Sequence, residues 1–434
     1  MYKSPLFSPG AAFPFLVLLI TIVFSKTVAA KNWYAATTGD DLAAGTIEKP
    51  FASWEKLASV LQPGDTGFIR GGTYLSPLPP GKKDWICTIT DKHGTSDAPI
   101  VLMAYPGEYP IFDFTGFLQS NNTTALRINH CSWLKIYNLR IQHLAQGPNG
   151  NIVAGIDVHD SRDIVFERCA VDGIGGAGIR QAQGCDNFTY INCDASNCAD
   201  AIDTGGGAYG NADGFDANSG SASYINCRAW WNSDDGFDTF YNDSLVRYTG
   251  CWSFWNGYIP GTFNDAGPRA DGMGFKWGIS TTPQPGRLLR IFNECIAFQN
   301  KAWGFDQNAA RLIGRFYNCT SYENKKGGWA TGYTVLPRIK SILKNNISFN
   351  EPVAVSDPEG LVESRNSWNG IRAGRASFGS LNNKGVNGAR QPDGRLPKLE
   401  FLRLAAGSNL RKKGMDVGIH KKTKPDLGGF QYNR

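Results

Sequence analysis

Histidine is scarce in this chain, five of 434 residues, and none of the ten cysteines stands in a Cys-x-x-Cys pair. A zinc site of ordinary spacing therefore finds no ligands. No long amphipathic helical stretch interrupts the chain, which argues against helix bundles and alternating α/β folds. No Pro/Ser linker or low-complexity tract divides it, so residues 31–434 read as one domain. Only one apolar run is long enough to notice, residues 13–24, preceded by Lys3 and followed by Val28-Ala29-Ala30. The run is short for a membrane span and the small residues form a cleavage pattern, so residues 1–30 read as a signal peptide. The mature protein is expected to be secreted, extracellular and free of the membrane. Nucleic-acid motifs are absent, and secretion argues against that partner.

Glycine, by contrast, is abundant, 51 residues, and it recurs in a frame. Asp213-Gly214-Phe215-Asp216 returns 22 residues on as Asp235-Gly236-Phe237-Asp238, then as Gly274-Phe275-Lys276 and Gly304-Phe305-Asp306. Cysteines supply a second ruler: the gaps Cys169 to Cys193, Cys227 to Cys251 and Cys295 to Cys319 are each 24 residues. A unit of this length holds three short strands and three turns, punctuated by Gly, Asn, Asp and Ser. Self-similarity at such a period marks a repeat architecture in which equivalent positions lie side by side. The leucine-and-asparagine pattern of leucine-rich repeats is missing, and a propeller blade needs ~40 residues. The expected fold is all-β, a right-handed parallel β-helix, each turn stacked ~4.8 Å on the last. Residues 31–75 read as an N-terminal cap with a short helix near 54–61, residues 76–380 as coils, and residues 381–434 as a basic C-terminal segment.

Six cysteines at one repeat position, several after an asparagine (Asn192, Asn226, Asn318), read as an inward ladder of small apolar side chains. Cys87, Cys131, Cys185 and Cys198 lie off it and leave room for one disulfide of open pairing. Six Asn-x-Ser/Thr sequons occur, and Asn318, beside a ladder cysteine, is a poor glycan acceptor. The last segment, 382–434, holds twelve Lys or Arg against four acids. It reads plainly as a solvated tail, or more sharply as an attraction for an acidic polymer.

The repeat aligns Asp216, Asp238, Lys276 and Asp306 in one row and lays Asp213 beside Asp235. Asp213, Asp234, Asp235 and Asp238 thus gather in two adjacent turns, where like charges would raise one another's pKa. A hard cation removes that penalty, and Ca²⁺, with six to eight flexible oxygen ligands, suits the nest better than Mg²⁺. Lys276, one coil step from Asp238, is then a candidate base: the cation would depress its pKa and the acids would raise it. Insertions at residues 204–212 and 256–271 rise before Gly214 and Gly274 as walls of a groove, and a third lies around residues 280–287. Arg269, in the second, is placed to pair with a substrate carboxylate. Trp230, Trp231, Trp252, Trp255, Trp277 and Trp303 offer aromatic surface for sugar rings, or simply packing.

Asn211-Ala212-Asp213-Gly214-Phe215, Asn232-Ser233-Asp234-Asp235-Gly236-Phe237-Asp238 and Gly274-Phe275-Lys276 resemble the motifs of the pectate lyases of polysaccharide lyase family 9. The resemblance runs from about residue 138 to 350. It implies a parallel β-helix, Ca²⁺ held by Asp213, Asp234, Asp235 and Asp238, and Lys276 as base in β-elimination on a uronic-acid polymer, polygalacturonate or pectin. A monomer is expected. Asp271 and Met273, after a long loop, depart from the pattern and bear on substrate preference. Three rivals stay open: a lyase or epimerase on another uronate, a polygalacturonase-like hydrolase, and a non-catalytic carbohydrate-binding β-helix. The hydrolase lacks its Gly-His-Gly element, and pure binding needs no base.

Overall fold

A computed structural model describes residues 29–75, 85–117, 124–147, 153–202, 207–278, 288–308, 312–331, 340–359, 361–420 and 424–431. Nearly all of the expected signal peptide, the insertion at 280–287, part of that at 204–212, and sequons Asn121 and Asn122 lie outside them. Strands of two to seven residues wind into three parallel sheets, the first of 12, the second of 10 and the third of 9 strands, with successive coils as neighbours in each. The architecture is the expected parallel β-helix. The one α-helix among the described residues, Trp54–Val60, is capped by Ser53, whose Oγ accepts from Lys56 N. It buries Leu57 and stacks Trp54 on Phe112, ring centroids 3.7 Å apart, at the start of the coil. Strands Asn32–Ala35, Thr66–Ile69 and Gly72–Leu75 around it already pair with the sheets. No helix among the described residues is long and apolar enough to cross a membrane.

Register is held by ladders of like side chains. In the first sheet Phe166, Tyr190, Tyr224, Tyr248, Phe292 and Phe316 stack with centroids 4.5–5.4 Å apart. In the third, Phe215, Phe237, Phe275, Phe305 and Trp329 stack at 4.8–5.0 Å. Parallel strands repeat at nearly the distance that offset aromatic rings prefer, so each ring stabilises both neighbours. The six-cysteine ladder is present: each member precedes a register-paired residue of the second sheet. Five of its six thiols donate to carbonyls of the coil before, such as Cys193 to Phe166 at 3.5 Å and Cys227 to Tyr190 at 3.4 Å, while Cys295 bonds the Asn293 carbonyl of its own coil. The residues just ahead, Asn192, Asn226 and Asn318, have φ of 55°, 51° and 54°, a left-handed bend that asparagine tolerates. That bend is the physical cause of the Asn-Cys pairs. The disulfide allowed for among Cys87, Cys131, Cys185 and Cys198 does not form; all ten thiols are free and buried. Each of Cys131, Cys185 and Cys198 instead bonds a nearby backbone carbonyl.

A second interior ladder went unread in the sequence. Asn232, Asn256, Asn300 and Asn324 pass hydrogen bonds from coil to coil, each accepting at Oδ1 from the residue before, and Glu351 ends the row by accepting from Asn324 Nδ2 at 2.8 Å. Burial pushes the Glu351 carboxyl up to about 7, against hydrogen bonds from Ser321, Ser348 and Asn324. A carboxyl raised above its unfolded value of ~4.3 contributes stability below that pH and loses it as pH rises through about 7. Glu351→Gln keeps the acceptor and removes the buried charge. Its melting temperature should exceed the parent's at pH ~8 and match it near pH ~4, in thermal melts followed by circular dichroism. Equal melting curves at both ends would contradict the buried charge.

The basic segment is not a free solvated tail. Val386, Phe401, Leu402, Leu404, Leu410 and Leu427 are buried and form a second core over the outer face of the second sheet, with Trp230, Trp252 and Phe298. Arg390 Nη2 reaches Asp194 Oδ1 at 2.6 Å, and the buried Arg228 donates to the Val386 and Gly388 carbonyls at 2.9 Å. The segment alternates apolar residues that dock with basic ones that stay wet: Lys384, Arg395, Lys412, Lys413 and Lys424 are exposed.

Candidate active site

The third sheet carries the site because its strands alternate one residue inward and the next outward. Phe215, Phe237, Phe275 and Phe305 point into the coil, so Asp216, Asp238, Lys276 and Asp306 form a row on the outer face, directly paired strand to strand. Gly236, just before Phe237, lets the coils close: a β-carbon there would lie 2.0 Å from Ser253 Oγ and 2.7 Å from the Gly274 carbonyl oxygen. No larger residue fits that approach.

Asp213, Asp234 and Asp235 bring carboxylate oxygens within 4.8 Å of one another. Backbone amides aim them: Asp235 N donates to Asp213 Oδ1 at 3.0 Å, Asp271 N to Asp234 Oδ1 at 2.6 Å and Met273 N to Asp235 Oδ1 at 2.7 Å. Asp238 stands outside this triple and turns to Lys276, whose Nζ lies 3.4 Å from its Oδ2. Lys276 Nζ also lies 3.0 Å from Asp235 Oδ2 and 3.0 Å from Asp271 Oδ2, and 5.3 Å from the Phe240 ring centroid. Its side chain is 8% exposed. Lys276 thus points into the carboxylate nest.

Burial alone would lower the Lys276 ammonium, but Asp235, Asp238, Asp234 and Asp213 outweigh it and hold it well above its usual value. Burial also raises the acids. It lifts Asp235 to about 7 and, joined by the charges of Asp234, Asp238 and Asp235, carries Asp213 well above the usual carboxylate range. Asp234, Asp238 and Asp306 are raised as well, chiefly by burial. Asp238 Oδ1 is buried and accepts no hydrogen bond, and Asp235 Oδ2 has the Lys276 ammonium beside it but accepts no hydrogen bond from a neutral group. Raised carboxyls and under-satisfied oxygens in one place are what a hard divalent cation would satisfy, so the donor set fits Ca²⁺.

The sequence left Asp271 outside the site, as a departure from a motif. Structure puts its carboxylate on Lys276 and its amide on Asp234, because the connection 255–274 folds back over the nest. Lys301 latches that connection, donating to the Gly267 and Ala270 carbonyls at 2.5 and 2.8 Å and pairing with Asp265 at 2.7 Å. Nothing in the spacing marks Lys301, since its partners depend on the loop's path. Arg269 is exposed and packs across Gly207 and Gly210 of the preceding insertion, which joins the two walls. No hydrogen bond or ion pair ties Arg269 to Lys276 or the aspartates among the described residues. Of the tryptophans, Trp230, Trp231, Trp252, Trp255 and Trp277 are buried and Trp303 half-buried, so packing is their role. An exposed group, Asp91, His93 and His130, gathers elsewhere on the surface and takes no part in the nest.

The profile described as Pel9A-like, right handed beta helix region matches residues 33–346. Pectate lyase L of Dickeya dadantii (strain 3937) is 30% identical, with all of both chains covered. Pectate lyase PEL9 of Emericella nidulans is 28% identical over 88% of this chain and 94% of its own. A solved structure, the crystal structure of pectate lyase Pel9A, superposes with a TM-score of 0.77 at 27% identity, covering 94% of this chain and 98% of that one.

Proposed function

Since the chain belongs to the Pel9A-like, right-handed β-helix family and is a polysaccharide lyase, we propose that it is a secreted, calcium-dependent pectate lyase. Polygalacturonate is its substrate, cleavage is by β-elimination, and Lys276 is the general base. One observation carries this reading: a lysine 8% exposed faces a nest of buried carboxylates, two of whose oxygens accept no hydrogen bond from a neutral neighbour.

Asp213, Asp234 and Asp235 would hold the calcium, with Asp238 at the edge towards Lys276. When bound, the ion supplies positive charge that offsets the acids and polarises the substrate's uronate group. The chain's own residues do the rest. Backbone amides of Asp235, Asp271 and Met273 keep the three carboxylates aimed. Lys276 acts in its neutral form: its lone pair takes the proton from C5 of the uronate, the C5–H electrons form the C4–C5 double bond, and the C4–O bond breaks. The departing oxygen takes a proton from solvent. Phe240 covers the lysine and limits water around it. Because the acids hold the amine protonated in the metal-free protein, neutral Lys276 depends on their charge being cancelled, and activity is expected in mildly alkaline solution.

Incubation with polygalacturonate in calcium should generate the ultraviolet chromophore of an unsaturated uronate, and a chelator should abolish it. Release of reducing ends without that chromophore would mean hydrolysis and overturn the reading.

A further inference from the structure

The outward row does not end at Asp216. One coil nearer the N-terminus it continues through Arg180, then Asp157, then Arg127, each in direct register with the next. Asp157 is 0% exposed, and three donors converge on it. Arg180 Nε and Nη2 each donate to one of its oxygens at 2.9 Å, Arg127 Nη1 donates at 2.7 Å, and His159 Nε2 lies 3.0 Å from both oxygens. One buried carboxylate balances one cation, so of the two arginine charges one is left over, with Asp216 one coil step away from Arg180. Both keep exposed surface, 24% for the Arg127 side chain and 32% for Arg180. Arg180 spends one edge of its guanidinium on Asp157, and its Nη1 makes no hydrogen bond among the described residues. On the side of Lys276, Asp216 is bonded to Asn218 Nδ2 at 2.8 Å.

Connections entering the third sheet reach this far in the described residues 114–117, 143–147, 197–202, 207–214 and 255–274, beside the arginine coils as well as the lysine coil. Their described parts are tied together: Ile202 N donates to Gln146 Oε1 at 2.8 Å, Gln146 Nε2 to the Ile202 carbonyl at 3.3 Å, and Arg269 lies against Gly207 and Gly210.

We propose that Arg180, oriented by Asp157 and backed by Arg127, is an anion subsite for a second uronate carboxylate of the same polysaccharide chain, three coil steps from Lys276. At ~4.8 Å per step the separation is about 14 Å along the helix axis. The subsite rests on the uronate reading above and adds a direction to it: the polymer lies along the third sheet and extends towards the N-terminal coils. A guanidinium fork held at one edge by a buried acid presents its other edge ready-oriented for a carboxylate.

The test uses the full chain with Lys276→Ala, so that ligand stays intact, and titrates it calorimetrically in calcium. Ligands are polygalacturonate, its disaccharide, rhamnogalacturonan and alginate. Adding Arg180→Gln, which keeps length and loses charge, should weaken polymer binding about tenfold or more and flatten its salt dependence. The disaccharide, too short to span both points, should lose less than twofold. Arg180→Lys should restore part of the polymer affinity. Melting curves check folding, and Arg180→Ala serves if the glutamine variant melts early. A folded variant with unchanged polymer affinity, or an equal loss for the disaccharide, overturns the subsite. If the parent binds only another acidic polymer, the pectate reading falls and the subsite is judged on that polymer. If the parent binds none, both fall.

Discussion

Lys276→Ala is expected to cut turnover of polygalacturonate by about a hundred- to ten-thousand-fold, the usual contribution of a positioned general base. The side chain is held between Asp235 and Asp271, each 3.0 Å from Nζ, so its amine is aimed into the nest. A structural lysine that merely neutralises the nest would behave differently from a base. Lys276→Arg separates the two: the guanidinium preserves positive charge but does not give up its proton in accessible pH. Arginine should therefore rescue thermal stability without rescuing catalysis. Rates are read from the unsaturated chromophore at saturating calcium. Turnover within tenfold of the parent in the alanine variant, or recovered activity in the arginine variant, would sink the assignment of the base.

Calcium should raise the melting temperature of the metal-free protein, by a few degrees at a hundredfold excess over Kd. Binding to the native state alone is worth about 2.7 kcal/mol at that excess, and large domains gain only a few degrees per such increment. The cause is local. Carboxylate oxygens of Asp213, Asp234 and Asp235 lie within 4.8 Å of one another, and among the described residues the cation that pairs into them is Lys276. Asp235→Asn should blunt the calcium response, since it removes one charged donor while the Met273 amide bond to the retained oxygen survives. Scanning calorimetry of chelated and calcium-loaded protein decides the matter. A parent protein whose melting temperature ignores calcium would refute the metal nest, whereas a variant that responds as the parent does would remove only Asp235 from it.

Much of this architecture was legible because it is periodic. The Gly-Phe frame and the cysteine gaps report register directly, and register is what puts Asp238 beside Lys276 and Phe237 on Phe275. Arg127, Asp157 and Arg180 escaped notice because leucine or isoleucine replaces phenylalanine in their coils (Leu126-Arg127, Gly155-Ile156-Asp157, Gly178-Ile179-Arg180) and their spacings, 30 and 23 residues, differ. The tryptophans were ambiguous for another reason: an aromatic ring suits both a sugar platform and a core, and only burial distinguishes them. The tail misled because its charge is visible in composition, while the leucines and Phe401 that dock it are spread among basic residues.

Short-period repetition, then, determined from the chain alone the stacked coil, its inward ladders and the order of charges along one face. Which way the connection 255–274 folds, and hence that Asp271 closes on Lys276, was settled only in three dimensions. So were the pairing of two arginines on Asp157 and the docking of the C-terminal segment. Strand pairing is a nearest-neighbour relation that a constant offset encodes; loop paths and tail docking join residues whose separations follow no offset, and they depend on which surfaces remain uncovered once the coils have formed.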